Sequence, residues 1–108
     1  MPWTFAARCS DLADQDVIGA ECGGRHLAIY KLDGSFYATS DACPHLGGSL
    51  SKGCVVENYI ECPLHFALFD IRTGESGGGV TTKGVKVFAT KVDDGAIYVD
   101  LEGDGSGR

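Results

Sequence analysis

Two short segments hold the residues best suited to metal chemistry: Cys43-Pro44-His45-Leu46-Gly47-Gly48 and Cys62-Pro63-Leu64-His65. Each offers one thiolate and one imidazole, and a Cys and a His close together on a bend can converge on one metal. Pro44, Pro63 and the Gly47-Gly48 pair suit such bends, Pro by fixing φ and Gly by tolerating conformations other residues avoid. Two matching half-sites imply one shared centre. The donor set alone allows two answers: a tetrahedral zinc ion held by two Cys and two His, or a [2Fe-2S] cluster with the thiolates on one iron and the imidazoles on the other. The order C-x-H, a gap, then C-x2-H departs from the usual zinc-finger order of two Cys followed by two His.

The elements that must position these segments read as strands. Trp3 to Ala7, Asp16 to Cys22, His26 to Leu32 and Ser35 to Ser40 are short apolar stretches, and Gly23-Gly24 and Asp33-Gly34 supply tight hairpin turns. Further strands are expected at Val55-Val56, Tyr59 to Glu61 and Ala67 to Ile71, with Glu57-Asn58 and Arg72-Thr73-Gly74-Glu75 as turns. Val85 and Val87 alternate with Lys86 and lead into Ala89 to Val92; Asp93-Asp94-Gly95 then turns the chain into Ala96 to Leu101. There is no internal repeat and no helix-length amphipathic stretch, so the fold class is all-β.

A chain of 108 residues has room for one compact domain and one modest core. Its 44% hydrophobic and 22% charged residues fit a globular domain rather than a disordered one. The net charge of -6, with nine basic residues scattered singly, argues against nucleic acid and anionic membrane and favours a protein partner with a basic docking patch. No basic stretch followed by an apolar run opens the sequence, and no apolar run is long enough to cross a bilayer. A cytoplasmic location follows as an expectation. In that reducing compartment the five cysteines suit metal ligation better than disulfide bonding. The stretch 102–108 has no apolar anchor and is expected to form a flexible tail, leaving 1–101 as the single domain with metal-binding loops at about 41–70.

Other residues have plainer readings. Cys9, Cys22 and Cys54 suit small buried residues or idle thiols rather than extra ligands. His26 reads as a solvated or hydrogen-bonded residue rather than a ligand, and Trp3 and Phe5 as packing for the first strand. Asp11, Asp14 and Asp16, with Asp93, Asp94 and Asp100, read as solvated turns and edges. An oxygenase would need a second iron held by two His and a carboxylate, yet only His26 is unassigned. A reductase would need a dinucleotide fingerprint opening a helix, and none is present. An electron carrier and a zinc-bearing interaction module stay in view.

The run Cys43-Pro44-His45, then Ile60-Glu61-Cys62-Pro63-Leu64-His65, then Phe69-Asp70-Ile71-Arg72-Thr73-Gly74-Glu75, and finally Ile97-Tyr98-Val99-Asp100-Leu101, resembles the Rieske ferredoxins of bacterial aromatic-ring-hydroxylating oxygenase systems. The resemblance spans nearly the whole chain. It implies a Rieske fold, an antiparallel β-sandwich with a small cluster-binding subdomain inserted, and one [2Fe-2S] cluster per chain ligated by Cys43, His45, Cys62 and His65. It also implies a monomeric, non-catalytic carrier that passes one electron from a flavin-dependent NAD(P)H ferredoxin reductase to a terminal Rieske oxygenase. Small subunits of assimilatory nitrite reductases and stand-alone Rieske proteins share that resemblance. Rieske subunits of cytochrome bc complexes carry an extra Cys in each loop, forming a disulfide, where this chain departs from them with Gly48 and Leu64, and a Ser after the second His, where it has Phe66-Ala67. Fewer hydrogen bonds to cluster sulfur imply a potential low in the Rieske span of roughly -150 to +300 mV. Where the related ferredoxins often have a Pro-containing loop covering the cluster, this chain has Ser76-Gly77-Gly78-Gly79-Val80-Thr81, and a looser or a partner-specific cover is expected.

Overall fold

The computed structural model describes residues 3–42, 48–63, 67–78 and 84–101. The expected tail, 102–108, lies outside the described residues. Among the described residues ten strands follow one another: β1 (Trp3–Arg8), β2 (Val17–Cys22), β3 (Arg25–Leu32), β4 (Ser35–Ser40), β5 (Cys54–Val56), β6 (Tyr59–Glu61), β7 (Leu68–Asp70), β8 (Ser76–Gly78), β9 (Val87–Asp93) and β10 (Ala96–Asp100). Two short 3-10 turns, Cys9–Leu12 and Leu50–Lys52, had no strong signal in the sequence. Among the described residues, no helix is long and apolar enough to cross a membrane.

The strands form two antiparallel sheets. The larger has the order β1-β10-β9-β4-β3-β2 and the smaller the order β5-β6-β7-β8, inserted between β4 and β9. Strands β1 and β2, at opposite ends of the larger sheet, also touch, so it curls toward a closed barrel. The halves join where β4 meets β9, pairing Ala38 with Phe88 and Thr39 with Val87, with Thr90 Oγ1 donating to the Phe36 carbonyl at 2.8 Å and Ser40 N–H to the Lys86 carbonyl at 2.8 Å. The hairpin turns sit where Asp and Gly place them, since Gly23-Gly24, Asp33-Gly34 and Asp94-Gly95 all take the positive φ that tight hairpins require.

Strand β3 is covered on both faces. Side chains alternate along a strand, so Leu27 and Ile29 enter the barrel interior beside Ala38, Phe88, Ile97 and Val99. Ala28, Tyr30 and Leu32 point the other way, onto Ile60, Phe69 and Ile71 of the smaller sheet and its turn. The continuous apolar run Leu27-Ala28-Ile29-Tyr30 therefore belongs to two cores at once.

Three expectations need correction. Phe5 is 50% exposed rather than packed inside, its ring set edge-on against Tyr98 at 6.1 Å on the outer face of the barrel. Asp100 is buried rather than solvated, because β10 holds it between Trp3 of β1 and Ala89 of β9, away from any sheet edge. Ser76–Gly78 is a strand rather than a loose loop. It pairs with β7, and the Tyr59 ring lies so close over Gly77 that a side chain would collide with it, the circumstance in which Gly serves inside a strand. The rest of that stretch, Gly79-Val80-Thr81, lies outside the described residues.

Candidate metal centre

Cys62 follows β6 directly and has no exposed surface. It packs with Leu50, Ile60, Ala67 and Phe69, which exclude water from the thiol. Its backbone N–H donates to the Ala67 carbonyl at 2.8 Å, closing the loop that carries His65 at its neck. Of the four expected ligands only Cys62 is described. Cys43, His45 and His65 lie outside the described residues, as do Pro44, Leu46, Gly47, Leu64 and Phe66. Among the described residues no three His, Cys, Asp or Glu side chains gather in a way that could hold a metal ion.

The neck of the first loop is described on both sides. Ala42 and Ser49 form an antiparallel bridge, and the Leu50 N–H donates to the Asp41 carbonyl at 2.7 Å. The Asp41 N–H in turn donates to the His26 carbonyl of β3 at 3.1 Å. The Asp41 carboxylate accepts the Ser49 hydroxyl at 2.6 Å on Oδ2 and the Ser51 N–H at 2.8 Å on Oδ1. Sequence reasoning passed over Asp41, Ser49 and Ser51. The available signal was an Asp two residues before a candidate ligand, followed by two Ser on the far side of the loop.

The far end of the smaller sheet is set by the Asp70-to-Glu75 turn. Asp70 Oδ1 accepts the N–H groups of Arg72 at 2.8 Å and Thr73 at 3.2 Å, and the Gly74 N–H donates to the Asp70 carbonyl at 2.7 Å. Gly74 has φ +81°, and a side chain there would run into the Val85 carbonyl. The turn reading of Arg72 to Glu75 is correct, and the turn also docks the smaller sheet on the lead-in to β9 through Val85 N–H to Gly74 carbonyl, 2.7 Å.

Beneath the site, buried Tyr30 is hydrogen bonded to Thr39 Oγ1 at 2.8 Å, and Thr39 donates onward to the Ser40 carbonyl at 2.9 Å. Burial pushes the Tyr30 phenol well above its ordinary value; the Thr39 bond opposes this shift and the negative charge of Asp41 adds to it. Cys9, Cys22, Cys54 and Cys62 are free thiols. Cys22 is buried and its thiol is pushed up by desolvation, Cys9 is half-buried, and Cys54 is exposed on β5 opposite Glu61. His26 is exposed, as expected.

Fold and half-site together define an all-β domain whose small inserted sheet ends on a buried cysteine. The model of the Rieske [2Fe-2S] domain matches residues 2–89. The ferredoxin component of the naphthalene 1,2-dioxygenase system of Pseudomonas putida is 34% identical over 99 residues, 92% of this chain and 95% of that one. A chain in the complex of reduced oxygenase and oxidized ferredoxin of carbazole 1,9a-dioxygenase superposes with a TM-score of 0.81 at 34% identity, covering 90% of this chain and 91% of that one. The Sphingomonas yanoikuyae B1 ferredoxin gives a TM-score of 0.84 at 26% identity, covering 90% and 96%. The chain belongs to the Rieske [2Fe-2S] domain family, as a ferredoxin component of bacterial aromatic-ring dioxygenase systems. It is an electron carrier and not the catalytic component.

Proposed function

We propose that Cys43, His45, Cys62 and His65 hold one [2Fe-2S] cluster per chain, and that residues 1–101 act as one monomeric unit carrying single electrons from a flavin-dependent NAD(P)H reductase to a terminal Rieske oxygenase. The observation that carries this reading is Cys62: a free, buried thiol at the neck of a closed loop, in a chain matched along 92% of its length to a dioxygenase ferredoxin. Two thiolates and two imidazoles are the donor set a Rieske centre requires, so the residues present fit the group. When bound, such a centre takes up and releases one electron.

The surrounding residues supply the rest. Leu50, Ile60 and Phe69 keep water from the Cys62 side, and a dry shell is one of the levers on metal-centre potential. Ala67 is buried and has no hydroxyl to offer sulfur, which supports a potential low in the Rieske span. The net charge of -6 favours docking on basic patches of the reductase and oxygenase.

The test is reconstitution of the chain with a flavin-dependent reductase and a terminal aromatic-ring oxygenase, following substrate-dependent NAD(P)H consumption. Consumption that rises with added ferredoxin supports the carrier role. Consumption independent of it overturns the assignment to that oxygenase system.

A further inference from the structure

We propose that Asp41, acting through Ser49 and Ser51, is a positioning residue that sets the first ligand loop in fixed relation to the second; this rests on the ligand assignment above. The Leu50 N–H to Asp41 carbonyl bond and the Ala42–Ser49 bridge close the loop neck, and the Asp41 N–H to His26 carbonyl bond ties it to β3. They fix where the loop leaves the barrel.

They do not fix the loop against β6. That task falls to the 3-10 turn Leu50–Lys52, which has only two backbone bonds of its own, Lys52 N–H to Ser49 and Gly53 N–H to Leu50. A three-residue 3-10 turn is weak in isolation. The Asp41 carboxylate supplies the missing hold. One oxygen takes the Ser49 hydroxyl and the other takes the backbone N–H of Ser51, inside the turn itself. Bonds to an ionised carboxylate are roughly twice as strong as neutral ones, and both are partly shielded from water. Ser49 and Ser51 hydroxyls also meet at 3.1 Å.

From the turn, contact passes directly to the second half-site. Leu50 is fully buried beside Ile60 and Cys62. Gly53, the next residue after the turn, lies so close to the Glu61 carbonyl that no side chain would fit there. Glu61 immediately precedes Cys62. On the opposite side, Gly19 of β2 leaves room for the Ser51 hydroxyl, since a Cβ there would sit 2.9 Å from Ser51 Oγ. A continuous path therefore runs from Asp41 through Ser51 and Gly53 to Glu61 and Cys62. Loosening its first link lets the two half-sites drift relative to each other, and a group ligated from both loops is then released more easily.

The experiment uses the holo full-length chain and the variants Asp41→Asn, Ser49→Ala, their double variant, and Ser49→Thr. Bleaching of the cluster's visible absorbance in excess iron chelator gives the rate of cluster loss, and reduced-state EPR line width gives the spread of site geometries. Asp41→Asn and Ser49→Ala should each lose the cluster about tenfold faster with broadened lines. The double variant should match Asp41→Asn, because the Ser49 hydroxyl bond lost in Ser49→Ala is one of the two that the Asp41 carboxylate makes. Ser49→Thr, which keeps the hydroxyl, should stay near wild type. If Asp41→Asn does not fold, the Ser49→Ala and Ser49→Thr pair decides the question. Rates unchanged in Ser49→Ala, rates in the double variant that multiply those of the singles, or a Ser49→Thr variant as fast as Ser49→Ala would overturn the proposal. A wild-type chain that binds no iron and sulfide would instead overturn the ligand assignment, and the positioning role with it.

Discussion

The larger and smaller sheets of this chain are held together by different kinds of interaction. Strands of the larger sheet run from five to eight residues, long enough for alternation to aim several apolar side chains inward, and its interior is filled by Leu27, Ile29, Phe88, Ile97 and Val99. Every strand of the smaller sheet has three residues and can aim only one or two inward. The smaller sheet packs Ile60, Phe69 and Ile71 on β3 and adds polar and steric anchors: Asp41 on the 3-10 turn, Asp70 on its own turn, and Gly53 and Gly74 against backbone carbonyls. A barrel held by area can absorb small shifts. Anchors made of single contacts transmit them, which would suit a region that keeps the proposed ligands of two loops in place.

The largest effect that would sharpen this contrast is expected from Leu27→Ala, which empties a fully buried site in the barrel and should cost about 3 kcal/mol in urea unfolding. Gly53→Ala should come next, at about 2 kcal/mol, because its new methyl forces the 3-10 turn off β6. Its signature should be regional: amide exchange should speed up in β5 to β7 while β3 and β10 keep their protection. Equal loss of protection in both sheets would break the comparison.

Tyr30 spans the two regions and gives a pH test. Its folded-state value lies above the ordinary 10.0, so above that pH the unfolded chain gives up a proton the folded chain keeps, and stability falls as pH rises. The decline should approach ~1.4 kcal/mol per pH unit from this group. Tyr30→Phe should remove that share of the alkaline decline while leaving the part due to Cys22, which begins near 9.0 for the same reason. An unchanged alkaline limb would show that Tyr30 is not held dry between the sheets. The smallest effect is expected at Arg72–Asp33, an ion pair of 3.7 Å with side chains 44% and 88% exposed: Asp33→Asn should change stability by less than about 0.5 kcal/mol.

The barrel was largely readable in the sequence because its signals are repeated. The apolar run in Arg25–Leu32, the alternation of Val85, Lys86 and Val87 leading into β9, and the positive-φ turns at Asp33-Gly34 and Asp94-Gly95 agree with one another. Burial was less readable. Alternation assigns Phe5 and Asp100 to faces but does not say which face a neighbouring strand covers. In the smaller sheet, Gly77 and Gly78 read as loop because the reason for a glycine there, the Tyr59 ring, comes from a strand far away in sequence. The four candidate ligands stood out by residue type and spacing alone. Asp41, Ser49 and Ser51 did not, since a polar residue in a loop looks solvated until the fold brings its partners within reach.

The central claim is tested most directly by EPR and metal analysis of the anaerobically purified chain. The expected result is a red-brown protein with two irons and two sulfides per chain and a reduced-state signal of low average g, as mixed Cys and His ligation implies. A colourless protein holding one zinc ion, or a reduced signal of the all-cysteine type, would contradict it.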